Sequence, residues 1–334
     1  MKKKLLMTVF AIIAIIALAG CGQKSQEDVV KSLGEKVESL SGYKAEAKMT
    51  LQTGSEQQVY EVEIWHKTPA YYRVNLKNAQ KDQSQMILRN DDGVFVLTPA
   101  LNKSFRFQSD WPQNSSQAYL YESLVQDIEG DPEAKFTAEK DKYVFETKTN
   151  YKNNKMLPTQ EITFNKDLTP ASVKVMDPDR NPLLIVEFTK TTFNPEFDEN
   201  AFNVEKNMSG ALLEVPVMAG VDEPVAVMYP QVEIEGVNLV EEKEIETENG
   251  KRIIMTFGGE KSFTLIQERA QVSEVGTTTS VSGEPVDLGF TVGALTDQAV
   301  SWSHDGVDFM LASEDLTQEE LLMIARSVQG QAVK

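Results

Sequence analysis

One cysteine, two histidines and 51 acidic side chains are the groups from which chemistry would be built in this 334-residue chain. His66 and His304 stand far apart and in different predicted units, so no histidine metal motif can form from them. No G-x-S-x-G turn offers a serine nucleophile, and no G-x-x-x-x-G-K-[ST] loop offers a phosphate cradle. Asp177, Asp179 and Asn181 have the opening spacing of a calcium loop. The sixth position, however, is Pro182 where that loop needs glycine, and the twelfth is Phe188 where it needs a bidentate glutamate. A turn between strands is the expected structure there. Paired carboxylates for glycoside cleavage arise by chance in any fold with this many acids. The expectation is a protein that is not an enzyme and binds no metal.

Cys21 has a more specific setting. Lys2, Lys3 and Lys4 precede an apolar run from Leu5 to Gly20, which is shorter than the roughly 20 residues a membrane-crossing helix requires. Small residues end the run and a polar stretch follows, which is the layout of a signal peptide. Leu18, Ala19 and Gly20, directly before Cys21, resemble the lipobox that the bacterial lipoprotein machinery reads. The pattern predicts removal of residues 1–20 and a covalent diacylglycerol on Cys21, with no other cofactor. Its acyl chains would contribute about 0.8 kcal/mol per buried methylene and hold the protein to the outer face of the cytoplasmic membrane. As the single cysteine, Cys21 also rules out an intrachain disulfide.

Composition bounds the partners. With 41% hydrophobic and 25% charged residues the chain should fold, and its length allows two domains. A net charge of -18 leaves no basic field to displace counterions from phosphates, so nucleic acid is excluded as an expected partner. The same acidity disfavours adsorption to anionic headgroups, which leaves the covalent anchor as the membrane contact.

The positioning elements follow from periodicity. Val29, Val30, Leu33, Val37 and Leu40 recur at helical spacing over 25–40, and Ser116 to Ile128 reads as a second helix. Tyr43, Ala45, Ala47, Met49 and Leu51 alternate with polar residues, the mark of a half-buried strand. About nine further strands are predicted before residue 205, with Asn90-Asp91-Asp92-Gly93 as a hairpin connection. The expected fold class is α+β: a curved antiparallel sheet with helices over its concave side, plus a smaller C-terminal α+β domain. The predicted boundaries are a signal peptide at 1–20, the curved-sheet domain at 21–210, a connector at 211–224, and the small domain at 225–334. In the small domain, strands are expected at Val232 to Leu239, Lys251 to Phe257, Phe263 to Glu268, Asp287 to Val292, Ala299 to Ser303 and Val307 to Leu311. A terminal helix is expected behind the capping box of Thr317 and Glu320.

Such a sheet leaves a trough. One alternation phase supplies its candidate lining, Tyr43, Ala45, Ala47, Met49, Val62, Ile64, Val74 and Leu76, and a one-residue slip would invert that set. Arg73 sits between apolar residues on a strand, so it is either outward and solvated or inward and hydrogen-bonded.

The segment from Tyr43 onward resembles the LolA-like lipoprotein-carrier superfamily. The matching features are the leading helix, the strand Val59 to Trp65, the run Lys67-Thr68-Pro69-Ala70-Tyr71-Tyr72-Arg73, the Asn90 to Gly93 hairpin, and the stretch Phe188 to Phe202. Over its whole length the chain is similar to sporulation lipoproteins of the YdcC and GerS type, which implies an unclosed β-barrel. The family's arginine, if carried over, falls on Arg73 as a polar contact. The resemblance implies a sporulation role by protein binding, in support of a cortex peptidoglycan amidase and hence of germination. It also leaves open lipid or lipoprotein acyl-chain binding in the trough, or an envelope-stress regulator.

Overall fold

The computed structural model describes residues 24–52, 57–79, 84–112, 117–151, 155–214, 227–232, 234–247, 250–273 and 277–330. Cys21, its lipobox residues Leu18, Ala19 and Gly20, and the expected signal peptide lie outside the described residues.

The chain opens with α1 (Gln26–Ser39), followed by β1 (Gly42–Leu51), β2 (Gln58–Lys67), β3 (Tyr71–Asn78), β4 (Ser84–Asn90), β5 (Gly93–Thr98) and β6 (Lys103–Phe107). Then come α2 (Tyr121–Gly130), β7 (Lys135–Ala138), β8 (Lys142–Lys148), β9 (Thr159–Asn165), β10 (Pro170–Met176), β11 (Pro182–Phe193) and α3 (Val204–Glu214). Ser25 starts α1 with a reciprocal capping box to Asp28, which satisfies backbone donors that the first turn cannot. These strands form one antiparallel sheet in the order β6-β5-β4-β3-β2-β1-β11-β10-β9-β8-β7. The alternating apolar residues select one face. Val29 and Leu33 of α1 and Leu124, Val125 and Ile128 of α2 pack on that face in a single buried cluster. Each such side chain contributes roughly 1.5–3 kcal/mol by leaving water.

The C-terminal unit comprises β12 (Met228–Pro230), β13 (Val237–Thr247), β14 (Gly250–Gly259), β15 (Phe263–Arg269), β16 (Thr277–Val281), β17 (Glu284–Asp287) and β18 (Val292–Leu295). It ends with β19 (Ala299–His304), β20 (Val307–Ala312), α4 (Gln318–Ser327) and β21 (Val328–Gly330). Seven of these strands form a second sheet, β13-β14-β15-β20-β19-β18-β17. Thr317 and Glu320 make the capping box expected at the start of α4, and Leu321, Leu322, Ile324 and Ala325 are buried against this sheet. Asp305 and Gly306, both at positive φ, turn β19 into β20. β16 belongs to neither hairpin of its own unit: it runs parallel to β6 and becomes the twelfth strand of the first sheet.

Four expectations need correction. The strand expected at Val232 to Leu239 instead occupies Val237–Thr247, where both faces are exposed and no apolar alternation marks it. The strand expected at Asp287 to Val292 is a turn between β17 and β18, made by the Asp287 carboxylate accepting from the Gly289 amide at 2.6 Å, with Gly289 at φ +91°. The predicted second helix begins at Tyr121 rather than Ser116. The mixed stretch from Met208, which reads as a connector and accounts for the expected boundary at 211, continues as helix to Glu214; Met208 packs with Met86, Leu88, Phe95 and Leu97 on the convex face. The rest of the expected connector, 215–224, lies outside the described residues.

Candidate functional site

All eight candidate trough residues lie on the covered face and all are buried: Tyr43, Ala45, Ala47 and Met49 on β1, Val62 and Ile64 on β2, Val74 and Leu76 on β3. Strand pairing aligns Ala45 with Ile64 and Val74, and Ala47 with Val62 and Leu76, so they form rows across three strands. They belong to the same cluster as the apolar faces of α1 and α2 and as Leu288, Phe290 and Val292 of the C-terminal unit. The trough they would line is therefore occupied from both sides.

Two polar devices hold the covers in place. At one end, Tyr43 donates its hydroxyl proton to the Glu122 carboxylate at 3.0 Å and accepts the Tyr121 amide at 3.1 Å, capping α2 where Leu120 has no side chain to do so. His66 sits beside it, with Nε2 at 3.0 Å from Glu122 and Nδ1 at 3.1 Å from the Tyr71 carbonyl. Both ring nitrogens thus face acceptors, and the Tyr72 ring stacks on the imidazole at 4.3 Å. Burial, followed by the nearby Glu122 charge, pushes the Tyr43 hydroxyl well above the ordinary tyrosine range. It remains a neutral donor. His66, too far from His304 in sequence to share a metal motif with it, is in the fold a structural tie between β2 and α2.

The other device docks the C-terminal unit on the inner face of β4 to β6. Gln85, aligned with Leu76 on the inner face, accepts the Val292 amide at 2.6 Å and the Thr291 hydroxyl at 3.1 Å. Lys103 meets Asp308 at 3.3 Å, Asn102 donates to the Ser273 carbonyl at 2.9 Å, and Thr278 on β16 donates to Ser104 at 3.3 Å. Between the units remains a cavity of about 200 Å³, lined on one side by Val96, Phe105 and Phe107 and on the other by Val281, Trp302 and Phe309. This is below the roughly 300–1,000 Å³ usual for small-molecule pockets.

Arg73 lies on the opposite, convex face. Its Nη1 pairs with Glu63, its Nε donates to Asn207 of α3 at 2.8 Å, and its guanidinium covers the Trp65 ring at 4.2 Å. Of the two readings open for it, the structure takes the outward one, half-buried under α3 rather than solvated. Lys44 approaches the same indole at 4.4 Å, and Phe197 and Phe202 continue the aromatic band to Tyr71. Asp177 accepts the Asn181 amide at 2.7 Å in the turn from β10 to β11, the turn expected from its sequence. Sequence reasoning missed Gln85 and Glu122. Gln85 carries a faint signal, a polar residue in the inward phase of an apolar strand.

Comparison with known proteins identifies relatives. Residues 1–202 match the family model described as sporulation protein YdcC-like. The sporulation protein YdcC of Bacillus subtilis is 57% identical over 334 residues, covering 100% of this chain and 99% of that one. Among solved structures, a MucA/MucB complex from Pseudomonas aeruginosa is similar over 90% of this chain and 100% of that chain, at 14% identity and a TM-score of 0.33. A LolA superfamily protein from Nitrosomonas europaea covers 53% of this chain and 98% of its own, at 11% identity and a TM-score of 0.30. The structure of the CwlD amidase from Clostridioides difficile with the GerS lipoprotein covers 53% and 97%, at 14% identity and a TM-score of 0.21.

Proposed function

Because the chain belongs to the sporulation protein YdcC-like family, we propose that it is a lipid-anchored sporulation lipoprotein that works by binding another protein. The observation that carries this reading is the filled concave face. A carrier of acyl chains needs an open apolar trough, whereas here the rows from Tyr43 to Leu76 are buried under α1, α2 and the C-terminal unit. The role is non-enzymatic, in keeping with the structural use of His66, Glu122 and Asp177.

In this reading the diacylglycerol on Cys21 holds the protein at the outer face of the cytoplasmic membrane, and in sporulating cells in the space between mother-cell and forespore membranes. The partner is a peptidoglycan-modifying enzyme of the cortex, which links the protein to germination; that class is what the likeness to GerS-type lipoproteins implies. A pull-down of the tagged, detergent-solubilised protein from sporulating cells tests it, with mass spectrometry of proteins and lipids. Recovery of a cortex amidase in stoichiometric amount supports the reading, and recovery of no protein partner overturns it. A second reading, a bound acyl chain, draws on the apolar cavity between the units. It requires stoichiometric lipid beyond the covalent anchor.

A further inference from the structure

Among the described residues the sheet edges are short, with one exception. The first sheet ends in β16, laid against β6, and in the four-residue β7; the second ends in the four-residue β17 and in β13, which has 11 residues. β13 is thus the long open edge among the described residues. An open edge presents a row of unpaired backbone donors and acceptors, a template for another strand. Every residue from Asn238 to Glu246 is exposed. Leu239 (43%), Val240 (68%) and Ile245 (36%) lie on it, and the other exposed large hydrophobic among the described residues, Met310 (46%), lies on the same sheet.

The register divides these between faces: Leu239 aligns with Phe257 on the inward side, while Ile245 and Met310 lie on the outward side. Lys243 aligns with Ile254, Ile254 with Ile266, and Ile266 with Met310, so an apolar row crosses the outward face from β20 to β14 and is closed off at the edge by Lys243. Ile245 stands in the adjoining row, on the same face, over the Arg252–Glu268 ion pair.

Charge selects the occupant. β13 carries Glu241, Glu242, Glu244 and Glu246 against Lys243, and with Lys251 of β14 paired to Glu244 and Tyr229 donating to Glu242 at 2.8 Å the edge still keeps an excess of carboxylates, in a chain of net charge -18. A second copy pairing through the same strand would set carboxylates against carboxylates, which is destabilising. The bulge between Leu239 and Glu241 further resists indiscriminate pairing. Neither device excludes a strand of opposite charge. We propose that β13 is the docking edge for an extended, lysine- or arginine-rich segment of a partner protein, which adds to the C-terminal sheet as an eighth strand with an apolar side chain beside Ile245 and its cations beside the glutamates of β13. This mode takes affinity from main-chain hydrogen bonds and specificity from alternate side chains. It rests on the protein-binding reading and names the surface and the chemistry of the partner.

The test uses the full chain in detergent and three labelled peptides of about ten residues: alternating Lys and Val, the same peptide N-methylated at alternate residues, and alternating Glu and Val. The Lys–Val peptide is expected to bind, to slow amide exchange within 237–247, and to bind about tenfold more weakly after Glu241→Lys, Glu244→Lys and Glu246→Lys are combined. A milder pair, Glu241→Gln with Glu246→Gln, is expected to weaken it less, and unchanged exchange in β15 and β20 shows that both variants are folded. N-methylation, which removes the main-chain donors, should abolish binding. No binding, equal binding of the N-methylated or Glu–Val peptide, or protection elsewhere than 237–247 overturns the proposal. Co-purification of a cortex enzyme with the charge-reversed chain at undiminished yield overturns this site and leaves the protein-binding reading standing. Failure of every form of the chain to retain a protein overturns that reading itself.

Discussion

Replacing Gln85 with alanine should loosen the joint between the two units by an amount the geometry fixes. The Gln85 carboxamide oxygen accepts the Val292 amide at 2.6 Å, and Val292 is 5% exposed. Gln85→Ala leaves that amide without its partner, and a buried donor so stranded costs about 1–3 kcal/mol. The neighbouring cavity, which Gln85 also lines, gives water a route to the site and sets the expectation at about 1–2 kcal/mol. The Thr291 hydroxyl is spared, because it can turn to the Ser303 carbonyl at 2.9 Å. In urea, with a slope of about 3 kcal/mol per molar, the unfolding midpoint should fall by about 0.3–0.7 M. Amide exchange at Val292 should accelerate by about tenfold for each 1.4 kcal/mol, with smaller changes on β14 and β15. An unchanged midpoint together with unchanged exchange at Val292 would refute the claim that the C-terminal unit is docked through Gln85.

Three further outcomes follow from the same structure. Glu122→Ala removes the carboxylate that both Tyr43 and His66 use and should cost about 2–3 kcal/mol, read by urea denaturation, with α2 amides exchanging first. Arg180 and then Lys135, hydrogen-bonded to Glu146, hold its carboxyl down at about 2, against an ordinary value of 4.5. The native state thus binds that proton more weakly than the unfolded chain, so the contribution is complete above about pH 4.5 and lost as pH falls through about 2. Because both cations are more than half exposed, Glu146→Gln should cost under about 1 kcal/mol at neutral pH, and the gap to the parent should close on acidification in a stability–pH series. Met208→Ala should cost about 2 kcal/mol and raise exchange throughout α3, because Met208 is the most buried contact of that helix with Met86, Leu88, Phe95 and Leu97, flanked by the partly buried Val204 and Leu212.

Legibility in the sequence tracked burial on one face. β1 to β3 alternate from Tyr43 through Leu76 because one side of each strand meets the core, and the same phase placed all eight candidate residues on the covered face. Thr317 and Glu320 announced α4 through their capping chemistry. β13 gave no such signal, since neither of its faces is buried, and its Glu-rich composition resembles a loop. β16 was legible only in part: Thr277 to Val281 is rich in β-branched residues, which favours a strand, but it has no apolar alternation, and its parallel pairing with β6 could not be read locally. α3 hides its apolar side against the outer surface of β4 and β5, whose apolar residues are buried on both faces, Ile87, Val94 and Val96 inward and Met86, Leu88, Phe95 and Leu97 outward, and only the fold shows what covers the second. The occupied trough was beyond local pattern altogether. Alternation says which side chains point inward, and the Gln85 and Glu122 contacts that bring the covers down join residues far apart in the chain.

The central claim is that the covered face of the first sheet is filled by its own chain, which leaves the outer surfaces for the proposed protein binding. Native mass spectrometry of a chain beginning at residue 22, purified without delipidation, tests it most directly. The account predicts the bare polypeptide mass and no displacement signal when a fluorescent fatty acid is titrated in. One equivalent of non-covalent lipid per chain, released by Val74→Trp or by Phe105→Asp at the cavity wall, would contradict it.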